Sequence, residues 1–171
     1  TFALIWQPRY DRRVEGRYNS ARNSGSVRAQ QSSENRVGSF GYSLASTYDD
    51  GPATVSGQVD YVGNRFDASL SHTAFGRDFS NITQEQITNL RFGSSISTTG
   101  GKVAVGRNIY DSFAIVYPHK SIDDHPVIVG DSFEGGRYTG RSGLLGGAVA
   151  NNLTAYVNQS VRYDVLDAPL G

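Results

Sequence analysis

The chain contains no cysteine, which excludes disulfide staples, thiol nucleophiles and cysteine-ligated metal centres. It carries no net charge, since 16 Lys and Arg are matched by 16 Asp and Glu. Without a basic excess there is no electrostatic footprint for nucleic acid. No apolar run approaches the ~20 residues that a membrane-spanning helix requires. That absence leaves membrane-crossing strands open, because a barrel strand buries only alternate residues in lipid and gives a weak hydropathy signal. No basic leader precedes the strand-like opening Phe2-Ala3-Leu4-Ile5-Trp6, so the chain reads as a mature or excised fragment. Hydrophobic residues make up only 37% of the 171 positions, below the usual globular share.

Glycine (20), tyrosine (10) and phenylalanine (8) are abundant, with serine, threonine and asparagine throughout. That mixture fits an all-β protein rich in turns and fits a helical bundle poorly. Periodicity sharpens the assignment. Phe40, Tyr42, Leu44 and Tyr48 share one parity against Ser39, Ser43 and Thr47. Val55, Val59 and Tyr61 alternate with Thr54, Ser56, Gln58 and Asp60. Phe66, Ala68, Leu70 and Ala74 alternate with Asp67, Ser69, Ser71 and Thr73. A fourth run sets Leu90, Phe92 and Ile96 against Arg91, Gly93, Ser95 and Ser97. Period two is the signature of a strand with one apolar and one polar face.

The connectors agree with strands. Asp49-Asp50-Gly51-Pro52 is strong turn chemistry, Val62-Gly63-Asn64 is a tight turn, and residues 76–86 read as a longer polar loop. Each run spans about 9–12 residues, the length of a tilted strand crossing a bilayer, against about 5–6 for an average soluble strand. Tyr48, Tyr61 and Phe75 stand near strand ends, where an interfacial girdle would place aromatics. Residues 1–36 alternate more weakly and predict three further strands, with Arg13, Arg17 and Arg28 facing a polar lumen or a rim. About seven strands cannot close a wide pore, so an open, curved antiparallel sheet is expected, a partial transmembrane β-barrel.

The texture changes at Thr98-Thr99-Gly100-Gly101. Shorter apolar runs follow: Lys102–Arg107, Ser112–Tyr117, Pro126–Val129, Leu153–Val157 and Ser160–Val165. Within Ser112–Tyr117 both parities are apolar, which suits a sandwich core. A boundary near residue 99 therefore divides barrel strands (1–99) from a small β-sandwich-like domain (100–171).

Catalytic and metal chemistry finds little support. Asp123-Asp124-His125 lacks a second histidine cluster to complete a metal site and reads as a solvated loop. His72 shares parity with Leu70 and Ala74 and reads as interfacial. The glycine-rich stretch from Gly136 to Gly143 lacks the lysine-(Ser/Thr) ending of a phosphate cradle and reads as a mobile loop. No nucleophile elbow or ordered triad is present, and Asn81-Ile82-Thr83 is a glycosylation sequon only in form. The expectation is no enzyme activity, no cofactor and no small-molecule substrate.

Two stretches resemble fimbrial ushers, the outer-membrane platforms of chaperone–usher pilus assembly. Gly100-Gly101-Lys102-Val103-Ala104-Val105-Gly106-Arg107 with Asp111-Ser112-Phe113-Ala114-Ile115-Val116 resembles the family's junction, a glycine-marked strand leading to an Asp-(Ser/Thr)-Phe-Ala-x-Val strand. Leu153-Thr154-Ala155-Tyr156-Val157-Asn158 with Val161-Arg162-Tyr163-Asp164-Val165 resembles its Leu-x-Pro-Tyr-x-x-Asn segment and the strand after it. Gly140 to Gly147 and Lys120 to His125 depart from the family and point to a divergent branch. The resemblance implies that residues 1–99 are the last strands of a barrel in the bacterial outer membrane. It implies that 100–171 are the first C-terminal periplasmic domain, which need not be complete here.

The implied partners are outer-membrane lipid and periplasmic chaperone–pilin subunit complexes. Subunits would be joined by donor-strand exchange, where an incoming strand completes an open sheet. The implied lumen-facing residues are Thr54, Gln58, Asp60, Asp67, Thr73 and Arg91, and the partner surface is expected within residues 108–140. A porin or transporter barrel for small solutes and a soluble β-rich adhesin remain the alternatives.

Overall fold

The computed structural model describes residues 1–130 and 136–168. The chain is all-β with antiparallel sheets, as the composition and alternation predict. Its first strands are β1 (Phe2–Arg9), β2 (Arg12–Asn19), β3 (Ser24–Gln31), β4 (Ser39–Asp49), β5 (Ala53–Val62), β6 (Asp67–Gly76) and β7 (Glu85–Gly93). They form one seven-stranded sheet in sequence order, with β1 and β7 at its edges.

The turn chemistry explains the hairpins. Asp50 (φ 45°) and Gly51 (φ 133°) take the left-handed region between β4 and β5, and the Asp49 N–H donates to the Pro52 carbonyl at 3.0 Å. The Gly63 N–H donates to the Phe66 carbonyl at 2.8 Å and closes the β5–β6 turn. Within the longer connector Asp78 caps a single 3-10 turn, Phe79–Asn81, its carboxylate accepting from the Asn81 N–H at 2.9 Å.

The fourth alternating run is not one strand. β7 ends at Gly93, and β8 (Ser95–Thr99) pairs instead with β9 (Lys102–Gly106) in a separate two-stranded sheet. Ser94 leaves the ladder, and its hydroxyl donates to the carbonyls of Arg65 (2.8 Å) and Gly106 (3.2 Å). Alternation continues in phase across this break, so the sequence pattern carries no mark of it.

The remaining strands are β10 (Ser112–Val116), β11 (Val127–Val129), β12 (Gly140–Arg141), β13 (Ala148–Leu153) and β14 (Tyr163–Val165). β10 pairs with β13, and β11 lies between β12 and β14. The chain divides into two compact units. The first comprises Thr1–Glu34, Phe40–Tyr61 and Ala68–Arg91; the second comprises Asn35–Ser39, Val62–Asp67 and Phe92–Gly171.

The second unit has a small core of Val129, Ala148 and Ala150, flanked by Ala114, Val116 and Val161. The strand buried on both faces is β11, not β10 as expected: Val127, Ile128 and Val129 are all buried, whereas β10 is half-buried throughout. β11 is flanked by a strand on each edge, while β10 has a partner strand on one edge only. Two further expectations are corrected. The run Leu153–Val157 leaves the strand after Leu153 and turns at Tyr156 (φ 61°), which is fully exposed. The glycine-rich stretch is not all loop, because Gly140–Arg141 forms β12 against β11.

Candidate functional site

The faces of the seven-stranded sheet follow from its register, since directly paired residues project to the same side. Phe2 pairs with Tyr18, Leu4 with Gly16 and Trp6 with Val14. Gly16 then pairs with Val27, Val14 with Ala29, and Ala29 with Leu44. Gly57 joins this face, because a Cβ there would meet the Leu44 side chain at 3.3 Å, and with it come Val55, Val59 and Tyr61. Most of these large apolar groups are exposed: Leu4, Trp6, Val27 and Leu44 each keep more than half of their surface. No layer of the first unit packs on them.

The opposite face holds Arg13, Glu15 and Arg17 on β2, Ser26, Arg28 and Gln30 on β3, and Ser43 and Thr47 on β4. Thr54, Gln58 and Asp60 alternate with Val55 and Val59 and so belong to this polar face. The Gln58 amide donates to both carboxylate oxygens of Asp60 at 3.0 and 3.1 Å. Asp67 and Thr73 alternate with Leu70 on β6, and Arg91 with Leu90 and Phe92 on β7. Each of these six residues thus points away from the large apolar groups of its own strand. His72 takes the Leu70 parity, its Nδ1 lying 2.8 Å from the Thr88 hydroxyl.

In the second unit the stretches 100–116 and 153–165 meet. Gly100 (φ 56°) and Gly101 (φ 73°) make the left-handed turn between β8 and β9. Ser112 pairs with Leu153, and the Asp111 carboxylate accepts from the Ala155 N–H at 2.9 Å. Asp111 therefore ties the start of one stretch to the body of the other.

Two arginines that sequence reasoning passed over organise this unit. Arg107 is buried, with Nη1 3.6 Å from Asp67 and Nη2 donating to the side-chain oxygens of Asn35 (2.7 Å) and Asn151 (3.3 Å). Arg65 donates to the carbonyls of Val105, Gly147 (2.9 Å) and Gly146 (3.0 Å). Burial pushes both guanidinium pKa values down, partly countered by Asp67 at Arg107 and by Tyr117 at Arg65. Arg65 lies in no alternating run or motif, and Arg107 closes the stretch 100–107 without any sequence signal of its burial.

Asp124 and His125 lie 3.6 Å apart, and no group of three potential metal ligands occurs among the described residues. The expected partner surface, 108–140, includes residues 131–135, which lie outside the described residues. Compared with family models, curated proteins and solved structures, the chain matches none.

Proposed function

We propose that the seven-stranded sheet is a sector of an outer-membrane β-barrel wall. In this reading the chain belongs to a fimbrial usher that receives chaperone–subunit complexes in the periplasm and assembles and secretes them. The observation that carries the barrel reading is the exposed apolar face backed by a polar, arginine-bearing one. Water penalises so broad an apolar surface, and a monomeric soluble protein rarely leaves more than about 300–600 Å² of it contiguous. Lipid on one side and a wet lumen on the other remove the penalty from both faces.

Strand length supports the same reading. β4 to β7 run 11, 10, 10 and 9 residues, against the ~9–11 that a tilted crossing strand uses. Lipid would cover Leu4, Trp6, Val27 and Leu44, while Thr54, Gln58, Asp60, Asp67, Thr73 and Arg91 would face the conduit. The usher assignment rests on the two motif stretches and on their meeting through Asp111 and Ala155. Such a conduit performs no bond chemistry and needs no cofactor. Donor-strand exchange between strands of similar energy proceeds by strand addition alone.

The test is fractionation of cells expressing the parent chain, with protease applied to intact and opened cells. The expected result is recovery in the outer membrane, with cleavage after residue 99 only in opened cells. Recovery as a protease-resistant soluble monomer would overturn the proposal and favour the adhesin.

A further inference from the structure

We infer that the polar face of β2 and β3 is a docking station for acidic polypeptide, capturing carboxylates that pass along the wall. The inference rests on the conduit reading above and adds the chemistry of what that wall attracts.

Strand β2 places Arg13, Glu15 and Arg17 in one row by simple alternation. The Glu15 carboxylate is held from both ends, Oε2 by Arg13 Nη2 at 2.9 Å and Oε1 by Arg17 Nη2 at 2.5 Å. Directly across the ladder from Glu15 stands Arg28, which has no ion pair among the described residues. Arg13, Glu15, Arg28 and Gln30 line a concavity of about 240 Å³. Arg13 Nε, within this cluster, is buried and has no hydrogen-bond partner among the described residues.

A ladder built only for stiffness would balance its charges. Here Glu15 pairs with Arg13 and Arg17 and leaves Arg28 over, and the positive excess is local, because the chain as a whole is neutral. Guanidinium forks match carboxylates in a bidentate geometry that ammonium groups do not reproduce. With Glu15 engaged by its neighbours on β2, the exposed Arg28 remains to take an incoming carboxylate, and Gln30 can donate beside it.

The experiment uses the parent protein reconstituted in planar bilayers, with an oligoglutamate peptide as probe and an oligolysine peptide as control. Oligoglutamate is expected to block conductance and oligolysine to leave it unchanged. Block should weaken as salt rises. In R13Q/R28Q the apparent affinity for oligoglutamate should fall about tenfold, the loss of one charge-assisted pair. R13K/R28K should fall between, because charge survives and the fork does not.

R28Q alone guards against misfolding, since it leaves the Arg13–Glu15–Arg17 pairs in place, and it should weaken block in the same direction. Equal block of wild type and R28Q would overturn the inference, as would a pore indifferent to oligoglutamate. A parent protein that forms no pore would overturn the conduit reading as well, so the two failures are distinguishable.

Discussion

At Gly146 the backbone takes φ 104°, and a Cβ there would collide with the Val103 carbonyl and lie 2.7 Å from Ala104 Cα. Strain and steric conflict coincide, so G146A should cost about 2 kcal/mol or more in the second unit. Gly143, its bridge partner, has open space around the same position and no left-handed φ. G143A should stay within about 0.5 kcal/mol of wild type. The urea concentration at which residues after 92 become protease-sensitive in the parent protein measures both. Arg107 acts at the same scale. R107A leaves the buried Asn151 Oδ1 without its donor, with a cost of about 1–3 kcal/mol on the same assay. Its pairing with the partly exposed Asp67 adds little, because solvent screens that side. A midpoint unmoved by R107A would show the buried network to be energetically idle.

At the scale of the strand, β4 offers a test within one element. Leu44 lies on the apolar face and Ser43 beside it on the polar face. If lipid covers the first, L44R should cost about 2–4 kcal/mol near mid-membrane. S43R should be tolerated, because its side chain enters water. The readout is the folded fraction recovered in the outer membrane for each variant. Equal recovery would mean that neither face meets lipid, since exposed substitutions in water usually stay within about 0.5 kcal/mol. The same strands show how pattern and pairing can part company. β7 and β8 read as one alternating run, yet they belong to different sheets: the ladder breaks at Ser94, whose hydroxyl meets the carbonyls of Arg65 and Gly106.

At the scale of the whole molecule, β1 and β7 leave two unpaired edges on a sheet whose apolar face is bare. Both features promote association between chains. The isolated 171-residue chain should therefore aggregate in plain buffer and disperse in detergent, as light scattering would report. A clear monomer without detergent would contradict the wall reading. The second unit is also discontinuous in sequence, drawing in Asn35–Ser39 and Val62–Asp67. A fragment starting at residue 92 loses Arg65's bonds to the Val105, Gly146 and Gly147 carbonyls and Arg107's partners Asn35 and Asp67. It should unfold at lower urea than the same residues within the parent chain.

Local chemistry alone determined the all-β class, the alternating strands of the long sheet and the turns at Asp50-Gly51 and Gly63. Side-chain parity and backbone dihedral preference act between near neighbours, so a linear reading captures them. Tertiary structure decided what depends on residues far apart in the chain. It ended β7 at Gly93, made β11 the two-sided strand, and brought Asp111 to Ala155. It also seated Arg65 and Arg107 among carbonyls and amides from distant segments. Those outcomes turn on which buried polar groups find partners, a condition that only the folded chain can satisfy.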